Sequence, residues 1–231
     1  MNFLRAIRMT AVFLLLATPA DSRSAEIGWE ALNQEAVDLY RAGDYDRALE
    51  VAKRALEVAG KALGPDHPDV AANRNNLAAL YYAQGDYAQA EPLFKRSLAI
   101  SEKALSPEHP NVATSLNNLA ELYSTQGNYA QAERLFKRSL AISEKALGPE
   151  HPGVATSLNG LAALYHAQED YAQAEPLFKR SLAIWEKALG PDHPNVANAL
   201  ENIASLYRAT QRGKEAGDLE KRAARIRPIN R

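Results

Sequence analysis

The heptapeptide GPDHPDV at residues 64–70 returns as SPEHPNV at 106–112, GPEHPGV at 148–154 and GPDHPNV at 190–196. Its histidines, His67, His109, His151 and His193, stand 42 residues apart at every step. A histidine beside an acid at fixed spacing reads as a ligand or catalyst, or as part of a turn that stops one helix and starts another. The flanking residues favour the turn. Leu63 ends an apolar pattern, and Gly64 can take the left-handed conformation that closes a helix. Pro65 prevents continuation, and Pro68 suits the first turn of a new helix, where no backbone donor is missed. Asp66 brings negative charge to a helix N-terminus, which leaves His67 as the cap. Ser106 replaces the glycine in one copy, and that turn is expected to close less tightly. Equivalent positions in neighbouring units should lie on the order of 10 Å apart. Three imidazoles so spaced cannot share one ion whose ligands must sit about 2 Å from it. No metal or cofactor site is expected from these histidines.

Other marks keep the same step. GDY at Gly43 and Gly85 becomes GNY at Gly127 and EDY at Glu169, and AQAEPLFKRSLAI from Ala88 recurs unchanged from Ala172. A fixed period of this length is the signature of a solenoid. Each unit carries two helical patterns. In one unit Val70, Leu77 and Tyr81 follow the 3.6-residue stripe, with Arg74 where Leu116, Leu158 and Leu200 stand elsewhere. After the turn at Gly85, Ala90, Phe94, Leu98 and Leu105 mark a second helix. Pro92 and Pro176 fall beyond the first turn of such helices, where a proline costs a hydrogen bond. Two helices cannot bury their faces alone, so each unit must pack on its neighbours. The expected fold is all-α, with a five-unit array over 27–228 (about 27–63, 68–105, 110–147, 152–189 and 194–228) and a tail at 229–231.

The N-terminus points to export. Arg5 and Arg8 precede the apolar run TAVFLLLATPA, with small residues at the cleavage positions of a secretory signal. Residues 1–20 are read as that signal, cut after Ala20 in preference to Ala25, with 21–26 a short linker. An apolar run of 11 residues is short of the roughly twenty that span a bilayer, so no integral membrane span is expected. The expected location is periplasmic or secreted, in the setting of a bacterial envelope. A formal net charge of -1 gives no case for nucleic acid as a partner. The absence of cysteine excludes disulfides and a thiol nucleophile. No phosphate loop, His-Glu-x-x-His or nucleophile elbow occurs, so no enzyme is expected. The segment from Gln211 to Arg231 is locally basic, as a polar terminal cap of a solenoid can be.

The stretch SLNNLAELYSTQGNYAQAERLFKRSLAI, Ser115 to Ile142, resembles a tetratricopeptide repeat. Leu116, Leu119, Ala120, Tyr123, Ala132 and Phe136 match that family's packing positions. The long step, with HPNVATSLNNLA and YAQAEPLFKRSLAI, is similar to the kinesin light chain subclass. The resemblance implies a right-handed superhelical solenoid of antiparallel helix pairs, with first helices lining a concave groove that binds peptides or partner segments.

The face opposite the apolar stripe of each first helix is unusual. It carries Ala72, Asn75, Ala79 and Tyr82 in one unit, Thr114, Asn117, Glu121 and Ser124 in the next, then Thr156, Asn159, Ala163 and His166. A plainly solvated face would carry lysine and glutamate. Second helices do so, with Glu91, Lys95, Arg96, Glu102 and Lys103. Asn33, Asn75, Asn117 and Asn159 form a ladder, with Glu201 at the fifth rung. An amide both donates and accepts, so a row of them suits the main chain of an extended peptide. The same amides can instead bond neighbouring helices together. Tyr40, Tyr82 and His166 share the face, whereas Asn76, Asn118 and Asn202 lie nearer the packed side and suit a structural role, in a row broken by Gly160. Trp29 and Trp185 read as packing residues.

The expected function is an exported protein–protein interaction scaffold that binds an extended peptide or partner segment, with Asn33, Asn75, Asn117, Asn159, Tyr82, Glu121 and His166 as binding residues. The alternative is a self-assembling structural solenoid joined through its ends or convex face, with Trp29 and Leu32 at a joint.

Overall fold

A computed structural model describes residues 27–226. The signal peptide, the linker and the tail expected from the sequence lie outside these residues. Ten helices follow one another: α1 (Ile27–Arg41), α2 (Tyr45–Leu63), α3 (Pro68–Ala83), α4 (Tyr87–Leu105), α5 (Pro110–Thr125), α6 (Tyr129–Leu147), α7 (Pro152–Ala167), α8 (Tyr171–Leu189), α9 (Pro194–Ala209) and α10 (Gly213–Ile226). No strand occurs among the described residues. None of the described helices is long and apolar enough to cross a membrane.

Two compact units divide the described chain, one up to Leu122 and the other from Tyr123. In the first, α1 packs on α2, α2 on α3 and α3 on α4. In the second, α6 packs on α7, α7 on α8, α8 on α9 and α9 on α10.

The repeated turn does what its residues imply. The Nδ1 atoms of His67, His109, His151 and His193 accept from the backbone N–H two residues on, at 3.2, 3.1, 3.0 and 3.1 Å. Each following proline occupies the first position of α3, α5, α7 or α9. The helix before the turn ends differently from the expected left-handed closure. Gly64, Gly148 and Gly190 combine φ of 87, 86 and 89° with ψ of 158, 155 and 158°. That extended, positive-φ region is essentially reserved for glycine. Ser106 holds the same shape, at φ 101 and ψ 146°, so this turn is strained rather than loose. At the other turn type, Asp44, Asp86 and Asp170 cap α2, α4 and α8 by accepting from Arg47, Gln89 and Gln173 N–H groups.

Packing follows the period too. Phe94, Phe136 and Phe178 are buried at matching positions of α4, α6 and α8, and Leu116, Leu158 and Leu200 are fully buried. Trp185 packs with Leu158, Leu200 and Ile226, and Trp29 with Ala59 and Val70. Ser97 and Ser181 donate to the Ala71 and Ala155 carbonyls at 2.7 and 2.8 Å, tying the two helices of a pair. Gly160 is a place where the period is broken for space: a Cβ there would stand 2.4 Å from Cε1 of Phe136.

These two backbone observations give opposite expectations. Ser106→Gly relieves a strained residue and should raise stability by about 1 kcal/mol. Gly160→Ala drives a methyl into a buried ring and should lower stability by about 1–3 kcal/mol. Urea unfolding of both variants beside the parent checks the pair, and a shift of the same sign in both would contradict this account.

Candidate functional site

The asparagine ladder is built into the stacking of repeats. Asn33 Oδ1 accepts from Asn76 Nδ2 at 2.9 Å, Asn75 Oδ1 from Asn118 Nδ2 at 3.1 Å, and Asn159 Oδ1 from Asn202 Nδ2 at 3.0 Å. Each bond joins the first helices of successive repeats, so Asn76, Asn118 and Asn202 act in the structural row, as their side of the helix suggested. At the place in that row where Gly160 falls there is no amide to donate, and Phe136 fills the space. Asn75 has no exposed surface and Asn117 is 8% exposed. The Nδ2 donor of Asn75 is buried and makes no hydrogen bond. At Asn33, Asn75 and Asn159 the ladder uses its oxygen end to hold repeats, and at Asn75 it leaves the nitrogen end uncommitted.

The aromatic members of this face are set by partners that the sequence reading did not single out. Tyr40 meets Tyr45 and Tyr82 meets Tyr87, both at ring-centroid separations of 5.4 Å, and His166 meets Tyr171 at 5.5 Å. The tyrosine of each GDY, GNY or EDY mark opens a second helix, and Tyr45, Tyr87 and Tyr171 so stand against the end of the preceding first helix. That signal was present in the 42-residue step. Burial, with smaller contributions from Tyr45 and Glu121, pushes the Tyr40 hydroxyl up to about 12. Burial raises the Glu121 carboxyl to about 7. His166 is lowered by burial, an effect opposed by its hydrogen bond to the Ser205 backbone.

Within the second unit a cavity of about 760 Å³ opens among Tyr129, His166, Tyr171, Glu201, Arg208 and Glu220. His166 and the fifth rung, Glu201, are thus brought together. Arg208 Nε and Nη2 donate to the two carboxylate oxygens of Glu220 at 2.6 Å each, tying α9 to α10 along the rim. Tyr129, Arg208 and Glu220 were not foreseen, because their convergence depends on how α6, α9 and α10 pack.

The charged side chains of second helices make a different surface. Tyr165 and Tyr207 donate to Glu133 and Glu175 at 2.9 and 3.2 Å, and Lys137 and Lys179 sit one turn on from those acids. Lys179 and Arg212 together hold the Glu175 carboxyl down at about 2. Arg180 pairs with Glu144 and Arg222 with Glu186 across neighbouring helices. Tyr45, at 40%, is the exposed large hydrophobic side chain among the described residues, and Trp29 is only 2% exposed. Trp29 therefore offers no apolar joint between copies. No group of three or more His, Asp or Glu side chains placed to hold a metal occurs among the described residues.

These paired helices, period and packing positions are those of a known repeat class. The tetratricopeptide repeat family matches residues 30–103, 70–145, 112–187 and 153–228, and the chain belongs to it. No curated protein matches the sequence. Among solved structures, a putative kinesin light chain from Podosopora anserina with nearly identical TPR-like repeats is 29% identical, with 85% of this chain and 92% of that chain covered and a TM-score of 0.65. BtubC (BKLC) from P. vanneervenii is 26% identical, with 88% and 82% covered and a TM-score of 0.68. A Rap protein complexed with competence and sporulation factor is 15% identical, with 89% and 56% covered and a TM-score of 0.75, a likeness of fold alone. The chain thus has kinesin-light-chain-like neighbours and the fold of a protein–protein interaction scaffold, a class that is typically non-enzymatic and takes protein partners.

Two outcomes follow. Asn118→Ala leaves the Asn75 carbonyl oxygen without its donor and should cost about 1–3 kcal/mol in urea unfolding; no loss would show that the bond does not hold the repeats. For Glu121, folding keeps the proton on at pH values where the unfolded chain has released it. Stability should therefore fall as pH rises from about 4.5 to about 7 and stay lower above that. Glu121→Gln should flatten that fall, by on the order of 2 kcal/mol given the carboxyl's partial contact with water. An unchanged difference between pH 5 and pH 8 in the variant would count against it.

Proposed function

We propose that the protein is an exported scaffold that captures an extended peptide or partner segment along the face of its first helices. Asn33, Asn75, Asn117 and Asn159 supply amides to the partner's main chain, and Tyr82, Glu121 and His166 contact its side chains. The observation that carries this reading is the Asn75 side chain. Its oxygen is held by Asn118 at 3.1 Å, and its buried Nδ2 has no acceptor in the protein. A buried donor without an acceptor costs about 1–3 kcal/mol. Asn75 has no exposed surface, so a segment reaches this donor only by displacing the side chains that cover it; a main-chain carbonyl that does so recovers the cost, and the inter-repeat bond orients the donor in advance. The concentration of charge on second helices supports the same division, since it leaves mostly uncharged side chains on the first-helix face, with Glu121 and Glu201 the acidic exceptions among the positions named above. The Rap structure with its bound factor is a case of a similar fold in complex with a partner. Export rests on Arg5, Arg8 and the apolar run that follows them.

Asn75→Asp separates the two uses of the amide. While ionised, the carboxylate keeps an oxygen for Asn118 but cannot donate, so the variant is compared at a pH where it is both ionised and folded. In affinity capture from the exported fraction of the native cell, the parent should hold a partner that Asn75→Asp loses, while helicity is unchanged. A partner retained equally by the variant would overturn the ladder as the binding element. Detection of the chain only in the cytoplasmic fraction would overturn export.

A further inference from the structure

We propose that Arg74 and the indole N–H of Trp29 receive a small oxyanion, a carboxylate or a phosphoryl group, beside the first helix pair. The site lies on the packed side of α3 rather than on the ladder face, so it goes beyond the peptide-capture reading and does not rest on it.

Arg74 breaks the period inside the apolar stripe. Its equivalents are Leu32, Leu116, Leu158 and Leu200, and the last three have no exposed surface. In the second unit, Val154 and Leu158 of α7 lie in one apolar cluster together with Val196 and Leu200 of α9. On α3 the stripe is split. Val70 packs with Trp29 and Ala59, and Leu77 packs in a separate cluster with Ala36, while Arg74 stands between them in the chain. A guanidinium is always charged, so its removal from water has to be answered by an opposite charge. Leucine, the residue of the other repeats, carries no such cost. Yet the Nε of Arg74 is buried and makes no hydrogen bond, and Arg74 forms no ion pair among the described residues.

The acids of the neighbouring elements are engaged or turned away. Asp66, in the turn before α3, is held by Arg96 at 2.7 Å and Lys103 at 3.5 Å. Asp69 precedes Arg74 by five residues, which sets it about 140° away around the helix, and Glu30 is exposed on α1. A second donor stands unanswered in the same corner. Trp29 is only 2% exposed, and its Nε1 is buried without a hydrogen bond. Trp29 packs on Val70, which lies one turn before Arg74. Helical side chains lean toward the N-terminus of their helix, so Arg74 reaches back over the turn of Val70 and toward the indole. Both unanswered groups only donate. The ligand that accepts from both and cancels the charge is an oxyanion, for which a guanidinium fork is the matching partner. Arg74 is half-buried, so a small solute reaches it from water while Trp29 donates from the protein side.

The two tryptophans make the test internal to the molecule. The full chain is titrated with acetate, with inorganic phosphate and with the neutral acetamide, at fixed pH and ionic strength. The read-out is the indole N–H resonances in NMR, with Trp185, buried among apolar side chains of the second unit, as the reference. At least one of the two anions should move Trp29 saturably and leave Trp185 in place, while acetamide moves neither. A response to acetate alone names a carboxylate as the ligand, a response to phosphate alone a phosphoryl group, and either carries the proposal. Arg74→Leu restores the residue of the other repeats, so it should keep its helicity and lose the response. Arg74→Lys keeps the charge without the fork and should bind about fivefold more weakly. A Trp29 resonance unmoved by both anions, an equal response to acetamide, or an unchanged response in Arg74→Leu would overturn the proposal. The ladder asparagines take no part in this titration, so its failure leaves the peptide-capture reading standing. Failure of Asn75→Asp to lose a partner likewise leaves the Arg74 result intact.

Discussion

Every element of this protein depends on one constraint: a single helix pair cannot bury its own apolar faces. The described helices run from 14 to 19 residues, a length at which an isolated helix is marginal in water. Their stability has to come from stacking, and stacking requires that each pair present the same surfaces to the next at the same height. The histidine turn meets that requirement. It ends one helix with a residue in a conformation that suits only glycine, then restarts the next with a proline and an imidazole that accepts a backbone N–H. The chemical reactivity of histidine is irrelevant there; its acceptor nitrogen Nδ1, two bonds from Cβ, is what the helix start uses.

A residue repeated at one height does more than pack, because the same side chain meets its own copy's neighbour at each step. The asparagine bonds between Asn33 and Asn76, Asn75 and Asn118, and Asn159 and Asn202 illustrate this. Each amide has two ends, and a bond at one end fixes the direction of the other. The question of whether the ladder is structural or functional therefore has no single answer per residue. The oxygen belongs to the stack, and orientation of the nitrogen is a consequence of it.

This explains what was legible before any coordinates. The period, the number of helix pairs, their ends and the burial of Leu116, Leu158 and Phe136 all follow from local pattern, since each repeat states the pattern again. The burial of Asn75 and Asn117 was not legible, since the pattern set them opposite the apolar stripe whereas they are 0 and 8% exposed. What was not legible is the use of each atom. The bonding of Asn75 depends on a residue 43 positions away, and the crowding at Gly160 depends on the rotamer of Phe136. The strain at Ser106 also escaped notice, because a serine there reads as a looser turn until its φ of 101° is known. The cavity was least accessible, since Tyr129, Arg208 and Glu220 come from three helices and no spacing rule links them.

Near-identity of repeats brings a difficulty of its own. A ladder of equal rungs offers a segment several equivalent registers, each shifted by one repeat, and so gives affinity without position. Only departures from the period can break that degeneracy. Gly160 departs for packing, because the Phe136 ring takes the space that a side chain would need. Glu201 and Arg208 depart from the period as well: Glu201 is half-buried, and Arg208 is exposed and bonded to Glu220. A carboxylate at the fifth rung only accepts, so the ladder loses an amide donor there and its rungs are not equivalent.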